Sequence, residues 1–110
     1  MANKMQIYIR IESDDGIIGW WTFYRDIGGS YICQGKDLWS YDGPYGYEYC
    51  RGTPCTSVKE AKAQAKLAVN MATHDGDPNP KATFWAYKNG RLTRMKISKT
   101  NTIIWTTQWI

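Results

Sequence analysis

The side chains best able to do chemistry in this chain belong to one histidine and three cysteines. A Cys–His or Ser–His–Asp catalytic site would have to use His74, yet no nucleophile motif surrounds any cysteine or serine. A zinc site would have to combine that histidine with the cysteines. Cys50 and Cys55 stand at the wide limit of the usual spacing, and Cys33 lies within a predicted strand. The sequence therefore predicts a non-enzymatic protein without a metal or other cofactor.

The cysteines also indicate the cellular compartment. Their number is odd, and residues 1–11 lack the charged start, apolar stretch and cleavage site of a secretory signal. We expect reduced thiols and a cytoplasmic location, although Cys50 and Cys55 could close a short loop under oxidising conditions. Because no apolar run approaches the ~20 residues that cross a bilayer, we expect no membrane partner.

Length and composition predict one domain that binds acidic partners. A chain of 110 residues supports a single hydrophobic core, so residues 1–110 are expected to form one domain. The formal net charge of +4 and the pI near 9.0 favour nucleic acid, a nucleotide or an acidic protein face, and argue against a DNA mimic. Six tryptophans and eight tyrosines are more rings than so small a domain buries easily.

The N-terminal part of the chain predicts three strands. Met5–Glu12 alternates polar and apolar residues, and Ile17–Arg25 follows after turn residues 13–16. Ser30–Gln34 predicts a short third strand after two glycines.

The alternation in the first two strands assigns their tryptophans to faces of the sheet. Whether the turn has two residues or four, the isoleucines of the first strand share the core face with Trp20. Since neighbouring residues of a strand point to opposite sides, Trp21 is expected on the outer face.

A segment of irregular composition runs from Gly35 to Cys55 and is rich in glycine, proline and tyrosine. Loops of this length are uncommon in compact domains and are often functional. Part of the segment, Leu38–Tyr41 or Tyr45–Cys50, could pair as a short strand.

One helix is predicted after this segment. Ser57 and Glu60 have the spacing of a capping box, and the helical pattern continues to about Thr73. Its inward face is mostly alanine, so the helix is expected to lie close to a flat surface. That inward face consists of Val58, Ala61, Ala65, Ala68, Val69, Met71 and Ala72, and a separate stripe consists of Lys59, Lys62 and Lys66.

The C-terminal part predicts a hairpin and a last strand. Asn89–Gly90 between Lys81–Lys88 and Arg91–Ser98 suits a type I′ turn, which matches the twist of the strands. Ile103–Trp109 alternates and predicts the last strand. The hairpin register places Trp85, Tyr87, Arg94 and Lys96 on one face.

Together these elements predict an α+β fold: an antiparallel sheet of five to six strands, with β-hairpins at both ends of the chain and one α-helix packed on one face. A helix ~10 Å across covers about two strands spaced ~4.8 Å apart. Since the other face has no helix, large rings are expected to be exposed there or to meet a partner. The expected outer face consists of Tyr8, Arg10, Trp21, Phe23, Trp85, Tyr87, Arg94 and Lys96.

The leading functional hypothesis is a protein-binding module, because rigid aromatic side chains carry much of the energy of protein interfaces. In length, lack of a catalytic set and aromatic content, the chain resembles the small accessory proteins that phages and other mobile elements encode to disable host machinery. That resemblance implies an inhibitor that occludes a functional surface on a host defence complex. The expected contact residues are Trp21, Trp85 and Tyr87 on the sheet, and Trp39, Tyr45, Tyr47 and Tyr49 in the long segment.

Three alternatives stay open. The outer face could pair with itself in a homodimer. Aromatic rings interleaved with basic side chains also suit a nucleotide or single-stranded nucleic acid. A small enzyme would depend on His74. The basic residues expected to bind nucleic acid are Arg94, Lys96, Lys59, Lys62 and Lys66.

Overall fold

An antiparallel sheet and one helix are formed by residues 5–25, 31–32, 39–40 and 52–110, which are the residues that the computed structural model describes. The strands are β1 (Tyr8–Ser13), β2 (Gly16–Trp21), β3 (Tyr24–Arg25), β4 (Tyr31–Ile32), β5 (Trp39–Ser40), β6 (Lys81–Lys88), β7 (Arg91–Ile97) and β8 (Ile103–Trp109), and the helix is α1 (Val58–His74). Six strands form one sheet in the order β5-β2-β1-β6-β7-β8, and β3 pairs with β4 separately. The predicted α+β fold is confirmed.

β1 and β2 form the N-terminal hairpin, and its register is irregular. Ser13 pairs with Gly16, so the turn has two residues. Between Ile11 and Glu12 the register shifts, which makes Ile18 an extra residue on β2. An extra residue of this kind is a β-bulge, and every residue after it points to the face opposite to the one that simple alternation assigns.

The bulge exchanges the two neighbouring tryptophans. Trp20 pairs with Arg10 on the face away from α1, whereas Trp21 and Phe23 are buried in the hydrophobic cluster under α1. The prediction that Trp21 and Phe23 lie on the outer face is therefore wrong. The physical reason is that alternation alone assumes equal numbers of residues on the two paired strands, which the bulge violates.

Helix α1 begins at the predicted cap. Ser57 Oγ accepts a hydrogen bond from the Glu60 N–H at 3.1 Å, and Glu60 Oε1 accepts one from the Thr56 N–H at 2.8 Å. The helix packs across the two central strands, β1 and β6. The predicted alanine face is confirmed, and it includes one polar residue that the sequence pattern did not predict. The buried helix residues are Ala61, Gln64, Ala65, Ala68 and Ala72.

The C-terminal hairpin follows its predicted register. Asn89 has φ of 52° and Gly90 has φ of 77°, which are the left-handed conformations that a type I′ turn requires. Lys88 pairs with Arg91, and the pairing continues without a shift to Phe84. β8 adds to the other side of β7, with one irregularity in the register.

The pairing of β1 with β6 joins the two hairpins at the centre of the sheet. Tyr8 lies opposite Trp85, and Ile9 lies opposite Phe84. The isoleucine side of β1 faces α1, and the Tyr8 side faces away from it. The sheet therefore separates two hydrophobic clusters, a larger one under α1 and a smaller one on the other face.

Residues 52–55 fasten the end of β2 to the chain that enters α1. The Thr53 N–H donates to Trp21 O at 3.2 Å, and Thr53 Oγ1 bonds the backbone N–H and C=O of Phe23 at 3.0 and 2.9 Å. Gly52 permits this approach, since a Cβ there would stand 2.3 Å from Trp21 O.

We expect Gly52→Ala to destabilise the fold more than Gly76→Ala. The two glycines have nearly equal φ angles, +86° and +87°, but a Cβ at Gly76 would meet nothing within 4 Å. The control variant, Gly76→Ala, should therefore lose about 1 kcal/mol of unfolding free energy from backbone strain alone. Gly52→Ala should lose about 3 kcal/mol or more. Urea unfolding measures both, and equal losses would contradict the close approach of the two backbones.

Candidate functional site

The outer face of the sheet carries an enclosed aromatic cluster. Trp20 and Trp85 meet edge to face, with ring centroids 6.0 Å apart. The guanidinium carbon of Arg10 lies 5.6 Å from the Trp20 centroid and 5.4 Å from the Trp85 centroid. The Trp85 indole N–H donates to Thr83 Oγ1 at 2.8 Å. Trp85 thus lies on the predicted face, but the residue is 0% exposed, and the expectation that it is open to a partner is wrong.

Trp21 is a structural residue between β2 and α1. Its indole N–H donates to Gln64 Oε1 at 2.8 Å. Trp21 is 1% exposed and Gln64 is 0% exposed, so this hydrogen bond is made away from water. A buried polar pair of this kind fixes the position of the helix on the sheet, because each group needs the other. Trp21 therefore offers almost no exposed surface to a partner.

Tyr87 remains accessible among the contact residues predicted on the sheet. It is 40% exposed, and its ring meets Tyr8 edge to face with centroids 6.4 Å apart. Trp39, predicted in the long segment, pairs through its backbone with Trp21 in the strand that ends the sheet. The other predicted loop residues, Tyr45, Tyr47 and Tyr49, lie outside the described residues.

A group of rings and cations lies at the β7–β8 end of the sheet, on the side where α1 covers the central strands. The Arg91 guanidinium carbon lies 4.0 Å from the Trp109 ring centroid, and the Lys88 ammonium lies 5.1 Å from the Trp105 centroid. A cation over a ring face is attracted by the ring quadrupole by roughly 0.5–1 kcal/mol at exposed sites. We call Lys88, Arg91, Trp105 and Trp109 the basic aromatic surface.

Charge is distributed unevenly along the chain around this surface. Residues 78–110 contain six Lys or Arg and no Asp or Glu, a formal charge of +6 against +4 for the whole chain, so residues 1–77 carry a net −2. The modest overall charge conceals this difference, and the absence of acidic residues after Asp77 is the sequence signal that could have revealed it. The six cations are Lys81, Lys88, Arg91, Arg94, Lys96 and Lys99.

The residues predicted to bind nucleic acid do not come together. Lys59 and Lys66 are exposed on α1, whereas Arg94 and Lys96 belong to the face of the sheet that α1 does not cover. Lys62 donates through its ammonium group to a backbone carbonyl of the β7–β8 turn at 2.8 Å. The sheet therefore separates the helix lysines from Arg94 and Lys96. Lys62 contributes to the fold through its hydrogen bond to that turn.

The two described side chains of the candidate catalytic set, His74 and Cys55, lie at opposite ends of α1. His74 is exposed at the end of α1, and Cys55 is buried where its backbone pairs with Ile7. Within the described ranges, no group of three or more His, Cys, Asp or Glu could hold a metal ion. Cys33 and Cys50 lie outside those ranges. Among the described residues, no helix has the length and apolar character needed to span a membrane.

Comparisons with protein-family models, with curated proteins and with solved structures found no match to this chain. The function has to be inferred from the exposed side chains, their charge and the strands that position them.

We expect Trp21→Phe to destabilise the protein, because the change removes the indole donor and leaves Gln64 Oε1 buried without it. The unfolding free energy should fall by about 2 kcal/mol. Trp109→Phe is the matched control, and since Trp109 is 54% exposed, the loss there should stay below about 0.5 kcal/mol. Urea unfolding followed by circular dichroism checks both variants. A larger loss at Trp109 than at Trp21 would contradict the assignment of Trp21 to the core.

Proposed function

We propose that this chain is a non-enzymatic binding module for an acidic face of a partner protein, and that the basic aromatic surface is its contact site. The observation that carries the proposal is the presence of an exposed tryptophan beneath a guanidinium group in a part of the chain without any acidic residue. Inhibition of host machinery, which the resemblance to phage accessory proteins implies, stays a prediction that depends on which partner is bound.

Trp109 has the properties of an interface anchor. It is 54% exposed, and Ile110 next to it is 56% exposed, so both can bury apolar area against a partner. Arg91 lies over the Trp109 ring and presents a planar set of N–H donors that suits carboxylates. Trp and Arg are enriched among the residues that dominate interface energies, since they combine large contact area with directional hydrogen bonds.

The geometry favours a protein over nucleic acid as the partner. Bases stack on open ring faces, but a cation already lies over one face of Trp105 and one face of Trp109. β8 itself, Ile103–Trp109, contains no Lys or Arg, so phosphates would meet no continuous basic track along the edge. A homodimer through this surface would bring Lys88 and Arg91 of one copy close to the same two cations of the other, which opposes association.

The test is a matched pair of double charge reversals. Lys88→Glu with Arg91→Glu should weaken binding of the partner at least about tenfold, because it places like charges against an acidic face. Lys59→Glu with Lys66→Glu makes the same change in net charge on the exposed surface of α1 and should change the affinity by less than about twofold. The partner is identified by co-purification and mass spectrometry, and titration calorimetry gives Kd for each variant.

The two double variants separate a specific site from general attraction. Equal weakening by both would contradict a site at the basic aromatic surface. Nucleic acid is the ligand if nuclease treatment abolishes co-purification of the partner and the affinity falls steeply as salt rises. That result would overturn the proposal. Circular dichroism of both variants should match that of the parent protein, since all four substituted side chains are exposed.

A further inference from the structure

The last strand of the sheet has an open edge. Among the described strands, β8 pairs with β7 alone. The outer edge of such a strand carries backbone N–H and C=O groups that can accept another strand. Large apolar residues on it and directly after it are exposed: Ile104 by 52%, Trp109 by 54% and Ile110 by 56%.

The register identifies the backbone groups that point outward. The Ile110 N–H donates to Leu92 O at 2.9 Å, so the backbone groups of Leu92 point toward β8. Because these groups alternate along an antiparallel strand, those of Lys96, four residues further, point the same way. Ile104 is paired with Lys96, so its groups point back toward β7. The residues whose N–H and C=O face the open edge are Ile103 and Trp105.

An irregular stretch limits how far another strand can pair. Thr106 Oγ1 donates to Arg94 O at 2.9 Å and accepts from the Gln108 N–H at 3.1 Å. Here a side-chain hydroxyl makes hydrogen bonds that backbone groups make in a regular β-ladder. Irregularities of this kind interrupt pairing at sheet edges. The regular part of the edge is therefore Ile103–Trp105, with the Trp109 ring beyond it.

Cationic side chains near this edge favour an acidic segment as the added strand. Strands lie ~4.8 Å apart, so a strand added to β8 would lie ~10 Å from β7, within reach of long cationic side chains. Lys96 is the cross-strand neighbour of Ile104, and Arg94 lies beside Gln108, to which its Nη1 donates at 3.1 Å. Acidic side chains on the added strand would be attracted to these cations. A second copy of β8 has no acidic side chain and would bring its own Arg94 and Lys96 toward them.

We infer that the β8 edge binds an extended acidic segment of the partner, which adds to the sheet as a further strand along Ile103–Trp105. The inference rests on the proposed function and specifies the form of the ligand. Main-chain hydrogen bonds would supply affinity, as in other cases of strand addition, and the cations of β7 would supply the preference for acidic sequences.

The experiment uses the whole protein and two synthetic peptides of about ten residues, one alternating Glu with Val and one alternating Lys with Val. Amide hydrogen exchange is followed by NMR with and without each peptide. The Glu peptide should slow exchange at Ile103 and Trp105 at least about tenfold, because their N–H groups become bonded. Ile104, whose N–H already faces β7, is the internal control and should change less than about twofold. The Lys peptide should change none of the three.

Two outcomes would overturn strand addition and leave the proposed function intact. In one, the Glu peptide shifts the signals of Arg91 and Trp109 without slowing exchange at Ile103 and Trp105, which is binding by side chains alone. In the other, the Glu peptide has no effect, while the Lys88→Glu, Arg91→Glu variant still loses the cellular partner. Equal slowing by both peptides would instead overturn the acidic preference on which the inference and the proposed function both rely.

Discussion

The antiparallel ladder between β1 and β6 is the interaction on which the rest of the structure depends. It joins two hairpins from opposite ends of the chain, and Thr83 Oγ1 reinforces it by donating to Arg10 O at 3.1 Å across 73 residues. α1 packs over these two strands, so its position follows from their pairing. The same pairing brings Tyr8 against Trp85 on the far side. Both hydrophobic clusters therefore depend on one contact between distant parts of the sequence.

The far face shows how a sheet can bury tryptophans without a helix over them. Trp20 comes from β2, Trp85 from β6, and Arg10 from β1, which lies between those two strands. The guanidinium group lies near both ring centroids, and its attraction to the rings offsets part of the cost of its own burial, since Arg10 is only 9% exposed. Trp20 and Trp85 consequently contribute to stability, and neither ring offers a surface to a ligand.

Because the central rings of Trp20, Trp21 and Trp85 are buried, the candidate site lies at the β7–β8 end of the sheet. There, Trp109 is exposed because β8 has a neighbour on one side only among the described strands and because α1 packs over the central strands instead. The side chains that fold this protein and those proposed to bind a partner are thus largely different sets. Substitutions at the exposed residues Lys88, Arg91 and Trp109 can be read as effects on binding, whereas substitutions at Trp21 or Trp85 act through the fold.

Local signals in the sequence determined several elements. The Ser57 cap, the Asn89–Gly90 turn and the last strand depend on backbone preferences that act within a few residues, and the structure contains each of them as predicted. The positive charge of residues 78–110 is also a property of the sequence alone. These features can be predicted because each depends on neighbouring residues, or on no structure at all.

Only the tertiary structure decided which aromatic rings are buried. The bulge at Ile18 reverses the faces of Trp20 and Trp21, and nothing in the alternation of β2 indicates it. Trp85 keeps its predicted face, yet its exposure is set by Trp20 and Arg10, which come from the other end of the chain. The physical reason is that the face of a residue follows from local strand geometry and register, whereas its burial depends on what distant segments place on that face.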